Sequence, residues 1–141
     1  MTVKLRRMTP LDQKFVLEVR NEDAVRANSL TDTVKDDQWF RARMNDPSHL
    51  PYIITVDGEN AGIASLQFVS SITAEVSLAI APAWRGKGLA SRVIDELVAE
   101  GWKSGIERFL ATVRGNNISS LRSFLREGFT PTKWVYLEKR K

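Results

Sequence analysis

Between Thr73 and Trp102 the hydrophobic period changes at a basic, glycine-rich loop, and no other feature constrains this chain as strongly. Val76, Leu78 and Ile80 alternate with Glu75, Ser77 and Ala79 at period two, predicting a half-buried strand that Pro82 then stops from pairing further. Past the loop, Ala90, Ile94, Val98 and Trp102 fall on one stripe and Leu89, Val93 and Leu97 on the next. That pattern predicts a helix laying a broad apolar face on a sheet. Between them stands Trp84-Arg85-Gly86-Lys87-Gly88-Leu89-Ala90. Gly86 and Gly88 let backbone approach a ligand without an intervening Cβ, and the first N–H groups of the helix have no intrahelical partner. An anion can use those donors, helped by the helix dipole and by Arg85 and Lys87. The loop reads as a phosphate cradle, the plainer alternative being a tight strand-to-helix turn.

Two nucleotide loops fit badly. The dinucleotide fingerprint wants glycine or alanine three positions after its second glycine, where this chain has Ser91, and no acidic ribose ligand follows at the usual distance. The Walker pattern of Gly-Lys-Ser/Thr after four residues is absent. What matches is Arg-x-x-Gly-x-Ala from Arg85 to Ala90. It resembles the pyrophosphate loop of the GNAT superfamily of N-acetyltransferases, Gln/Arg-x-x-Gly-x-Gly/Ala. A second segment, Val113-Arg114-Gly115-Asn116-Asn117-Ile118-Ser119-Ser120 leading to Gly128-Phe129, is similar to the family's strand, Asn-x-x-Ser, short helix and closing Gly-Phe. In physical terms Asn116 or Asn117 caps that helix, Gly128 takes the left-handed position after it, and Leu121, Phe124 and Leu125 supply its buried face.

A chain of 141 residues, 43% hydrophobic, is long enough for one core and short for two, so a single domain over residues 1–141 is expected. The absence of cysteine removes disulfides, thiolate metal sites and a Cys nucleophile, and His49 as the one histidine leaves little for a metal centre or a Ser-His-Asp triad; no metal is expected. The charged N-terminus lacks an apolar signal segment and no run approaches a bilayer span, which predicts a cytoplasmic protein with no membrane partner. A net charge of +4 suits a phosphate-rich small molecule as well as nucleic acid. The charge is scattered apart from Lys139-Arg140-Lys141, without a basic face of interleaved aromatics, so no nucleic-acid partner is expected.

Along the chain, Val3 to Met8 reads as a strand. Thr9-Pro10-Leu11-Asp12 opens a helix with Leu11, Phe15, Val16 and Val19 inward, and a second helix is predicted from Val34 to Met44 after the polar break Asn28 to Thr33. Pro51 to Val56, the turn Asp57-Gly58-Glu59-Asn60 and Ala61 to Val69 make a hairpin signal, continued by Thr73 to Ile80. Arg108 to Val113 and Lys133 to Lys139 complete the strands. This order implies a three-layer α/β domain, a mixed, mostly antiparallel, twisted sheet with helices on both faces.

The resemblance implies an acetyl-CoA-dependent acyltransferase. It places the pantetheine arm in a splay between the strands ending at Ile80 and Val113, against the backbone of Leu78, Ala79 and Ile80. The pyrophosphate then lies over Arg85, Gly86, Lys87, Gly88, Leu89 and Ala90, with Asn117, Ser120 and Phe124 beside the cofactor. Glu75 is the expected base, its pKa raised by an apolar wall, while His49, in Asn45-Asp46-Pro47-Ser48-His49, reads as a surface loop residue. Many family members carry a tyrosine where this chain has Phe124, so the thiolate's proton must come from water, Tyr136, Tyr52 or a serine such as Ser120, or the thiolate leaves stabilised by dipoles. Arg20-Asn21-Glu22-Asp23-Ala24-Val25-Arg26 with a later Trp39-Phe40 is similar to acetyltransferases of nucleotide-linked amino-deoxy sugars and to those of ribosomal-protein N-termini. Arg20, Asn21, Arg26 and Trp39 are the implied acceptor contacts, and Phe40 reads as core. Peptide or small-amine acetylation, and an inactive acyl-CoA-binding sensor, are the alternatives; a monomer or homodimer is expected.

Overall fold

The computed structural model describes residues 1–29, 33–114, 116–132, 137, 139 and 140. Strand β1 (Val3–Arg7) leads through a turn of 3₁₀ helix at Pro10–Asp12 into α1 (Gln13–Asn21), α2 (Asp23–Ala27) and α3 (Asp37–Met44). Then come β2 (His49–Val56), β3 (Glu59–Phe68), β4 (Thr73–Ile80), α4 (Leu89–Lys103), β5 (Arg108–Leu110) and α5 (Ile118–Arg126). The five strands form one sheet in the order β1-β2-β3-β4-β5, antiparallel except for the parallel β4–β5 pair. No helix among the described residues is long and apolar enough to cross a membrane. The strand expected from Lys133 to Lys139 falls largely outside the described residues, as do Tyr136 and Gly115.

Strand alternation divides the core in two. Tyr52, Ile54, Ala64, Leu66, Ala74 and Val76 pack with Leu89, Val93, Ile94 and Leu97 of α4 and Phe124 of α5. Ile53 belongs to a second cluster with Val16 of α1 and Phe40 of α3, against which Ile63 packs. The expected three-layer arrangement is therefore present, with helices on both faces of a mostly antiparallel sheet. The β2–β3 turn puts Asp57 at φ 50° and Gly58 at φ 85°, the left-handed pair that a two-residue hairpin needs.

Several boundaries differ from the sequence expectation for local reasons. Residues 10–12 wind as a 3₁₀ turn, so the helical stripe starts later, and Leu11 is 96% exposed. Asp12 takes the inward place instead. Its carboxylate receives Arg6 Nη1 and Nη2 at 3.0 and 2.7 Å and Thr9 N at 2.9 Å, and the Arg6 hydrogen bond above all holds its pKa below the usual range. Helix α3 begins at Asp37 because Asp36 Oδ1 caps Trp39 N at 3.0 Å, which leaves Val34 exposed. The buried stripe of α4 is Leu89, Val93, Ile94 and Leu97; Trp102 lies outside it, meeting Phe109 edge-on with centroids 6.4 Å apart. On α5 only Phe124 is buried, while Leu121 and Leu125 are exposed.

One difference shapes the site. Pairing between β4 and β5 stops after Thr73↔Arg108, Ala74↔Phe109 and Glu75↔Leu110, so the strand expected to reach Val113 ends at Leu110. From Val76 to Ile80, β4 has a free edge toward that side.

Candidate active site

The free edge of β4 borders a cavity of about 800 Å³ that extends between α1, α3 and α5. Leu78, Ala79, Ile80, Arg85, Ala90, Asn117, Ser120 and Phe124 all line it. Gly86, Lys87 and Gly88 stand exposed on the loop into α4, whereas Leu89 is a core residue. Gly86 and Gly88 have φ of 74° and 71°, and a Cβ at either would meet no protein atom within 4 Å. Glycine is required there by the left-handed backbone, not by crowding from the protein, and the space above the loop is open. In the first turn of α4, Ser91 Oγ is buried without a hydrogen-bond partner among the described residues. Asn117 Oδ1 caps α5 by accepting Ser120 N at 3.3 Å, and Gly128 closes it at φ 91° with Phe129 N bonded to Phe124 O at 3.0 Å.

Arg85 does not point a free charge into the cradle. Its Nη2 lies 2.6 Å from Glu22 Oε2 and its Nε donates to Ile80 O at 3.2 Å. Glu22 also caps α2 through Val25 N at 3.2 Å. Nearby, Arg114 Nη2 and Nε donate to Ser29 O at 2.9 and 3.2 Å. The sequence carried no signal for these cross-links, whose partners stand 63 and 85 positions apart.

The floor of the cavity is a polar row set by register. His49 pairs with Gln67 across β2 and β3, and Gln67 with Glu75 across β3 and β4, placing three polar side chains side by side. All three line the cavity. Glu75 is half-buried, with Thr112 Oγ1 donating to its Oε1 at 3.4 Å. In the next row Ser65 and Ser77 share a hydrogen bond of 2.8 Å.

His49 is thus not a loop residue on the surface: it opens β2 and faces the cavity. Gln67 Nε2 donates to Ser48 Oγ at 2.6 Å and Asp46 Oδ2 at 3.4 Å, leaving its Oε1 to accept at 3.1 Å from His49 Nδ1. The ring is then the Nδ1–H tautomer with a lone pair on Nε2. Burial and, next, the charge of Arg43 hold its pKa below the ordinary 6.5, against the Gln67 bond and Asp46. The unfolded chain therefore binds more protons in this range, so stability is complete above the ordinary histidine value and declines as pH falls below it. His49→Gln should flatten that decline; urea midpoints over roughly pH 5–8 measure it, and an unchanged slope would reject the half-buried neutral ring.

On the acceptor side, Arg20 and Trp39 line the cavity, while Asn21 and Arg26 do not. Both polar atoms of the Asn21 side chain are taken by Lys35, whose N donates to Oδ1 at 2.6 Å and whose O receives Nδ2 at 2.9 Å. Arg26 lies 3.9 Å from Asp23 on α2. Tyr52 is excluded as a proton source, being 4% exposed among core residues beneath Arg7. Ser120 remains in the cavity beside Phe124, whose ring packs edge-on against Phe129 at 5.0 Å.

Comparison with known proteins fits this geometry. Over 95 residues, 67% of the chain, it is 30% identical to the uncharacterized N-acetyltransferase YfmK of Bacillus subtilis (strain 168), spanning 63% of that relative. Spermidine N-acetyltransferase from Vibrio cholerae, in complex with CoA and spermine, superposes with a TM-score of 0.83 at 16% identity, covering 91% of this chain and 80% of that one. Aminoglycoside acetyltransferase AAC(6')-Ib in complex with coenzyme A gives 0.81 at 20% identity, covering 93% and 86%. At such identities the two structures speak for the fold alone. With residues 14–129 matching the family, from α1 through the glycine loop and the gap beside β4 to the end of α5, the chain belongs to the Acetyltransferase (GNAT) family.

Proposed function

We propose that the chain is an acetyl-CoA-dependent N-acetyltransferase acting on a primary amine. One juxtaposition carries this reading: β4 loses its β5 partner at Glu75, and the freed edge runs directly toward an open, positive-φ glycine loop at a helix N-terminus. The residues present fit the donor. Backbone N–H groups of Gly88 to Ala90 suit its pyrophosphate, and the edge of Leu78 to Ile80 suits the amide-bearing arm. Bound there, acetyl-CoA supplies a thioester carbonyl whose C–S bond is exchanged for the amide C–N bond.

The rest falls to the chain. Glu75 takes the amine's proton, directly or through water, and N–H groups on the β4 edge donate to the carbonyl oxygen as negative charge grows on it. Ser120 or water returns a proton to the departing sulfur, since Phe124 has none to give. The favoured acceptor is a nucleotide-linked amino-deoxy sugar, supported by Arg20 and Trp39 in the cavity; a protein N-terminus or small amine is the alternative. Free-thiol release from acetyl-CoA with a panel of amines tests the reading. Tight acetyl-CoA binding without turnover on any amine would replace it with an acyl-CoA sensor.

A further inference from the structure

We infer that Arg20 and Arg43, both stacked on Trp39, form an anion clamp, so that the acceptor is an amine that also carries a phosphate or carboxylate. This deepens the transferase reading and rests on it for the amine. Arg20 Cζ lies 5.5 Å and Arg43 Cζ 5.6 Å from the centroid of the same indole, and all three residues line the cavity. Cation–π contact fixes both guanidinium groups while leaving N–H donors free for a bidentate partner. Arg20 uses one donor on Ser29 Oγ at 2.5 Å; neither arginine has a carboxylate partner among the described residues.

The charge balance points the same way. Glu75 is the one carboxylate among the described residues lining the cavity, against Arg20, Arg43, Arg85 and Arg114, and only Arg85 is neutralised by an acid, Glu22. Two like charges around one ring repel each other, and the half-buried Arg20 guanidinium loses proton affinity first to burial and then to Arg43. A bound anion relieves that repulsion. A polycation would meet three arginines without an acid partner among the described residues, Arg20, Arg43 and Arg114, and one carboxylate to hold it, whereas a zwitterionic amine sets its ammonium toward Glu75 and its anion toward the clamp.

Thiol-release kinetics with a nucleotide-linked amino sugar, an α-amino acid, spermidine and an aminoglycoside test this. The two anionic amines separate phosphate from carboxylate as the source. Hydrogen bonds to charged groups set the scale, so Arg43→Glu should lower kcat/KM for the preferred anionic amine by roughly 10- to 100-fold, mostly through its KM. Arg43→Lys should restore much of it, spermidine turnover should rise in Arg43→Glu, and KM for acetyl-CoA should stay unchanged. Wild-type preference for spermidine or the aminoglycoside overturns the clamp, as does a kcat/KM for anionic amines that Arg20→Gln and Arg43→Glu leave untouched; either result spares the transferase. If no amine is acetylated, calorimetry of the same amines on CoA-saturated protein decides. Anionic binding lost in Arg43→Glu keeps the clamp and removes the transferase reading, and absence of anionic binding removes the clamp.

Discussion

Glu75→Gln should lower kcat/KM at neutral pH by about 10²- to 10⁴-fold, the range that a positioned general base contributes. The fall should shrink as pH rises. A primary amine is mostly ammonium at neutral pH, so the wild-type rate depends on a carboxylate that accepts its proton, while above the amine's own pKa the amine arrives neutral and the one proton lost after attack can pass to water or the departing thiolate. Gln keeps the shape and the hydrogen bond from Thr112 but cannot take a proton. Thiol-release rates at several pH values for both proteins check this, and two profiles that run parallel would remove Glu75 as base. His49→Gln is the companion measurement, since His49 occupies the same row two strands away, about 10 Å by strand spacing. Retention of most activity in His49→Gln, beside a large loss in Glu75→Gln, separates the two titratable groups.

Gly88→Trp and Ala90→Glu should each abolish measurable CoA binding at concentrations that saturate the wild type, while the protein stays folded. At Gly88 the backbone has φ 71°, so any L residue pays about 1–2 kcal/mol for the left-handed conformation. No protein atom lies within 4 Å of the new Cβ, so the indole grows into open space where the pyrophosphate would lie. Loss of two charge-assisted bonds at about 1.5–3 kcal/mol each weakens binding by at least about a hundredfold. Ala90→Glu acts with opposite signs on stability and binding. A carboxylate in the first turn of α4 favours the helix dipole and raises or preserves the melting temperature, yet it repels the phosphates. Calorimetry with CoA and circular dichroism melts read the two effects separately; unchanged CoA affinity in both variants would remove the cradle.

What the sequence disclosed was local in origin. β4 spans Thr73–Ile80 as its alternation predicts, and α4 covers the sheet from Leu89, because both patterns are written in adjacent residues. The Asn117 cap and the Gly128 closure of α5 were legible for the same reason. Features that depend on a distant partner were not. The splay of β4 from β5 was implied by the family resemblance, but nothing between Arg108 and Val113 records that β5 ends at Leu110. Arg85 looked like a cradle charge until Glu22 claimed it, and His49 looked like a loop residue until pairing with Gln67 turned it into the cavity. Arg43 carried no sequence signal at all; its place against Trp39, which Arg20 also contacts, appears only once α1 and α3 lie against the sheet.

The short helix α2 is tied at both ends to the donor side, by Glu22 to Arg85 before it and by Ser29 to Arg114 after it. A donor that drew Arg85 away from Glu22 would loosen the wall that carries Arg20, and an acceptor anion that tightened that wall would resist the same displacement. Any such coupling would be reciprocal, the factor by which one ligand altered the other's dissociation constant being the same in both directions. The two arginine straps join α2 to the loop before α4 and to the segment before α5, so the acceptor wall and the donor side share one short helix.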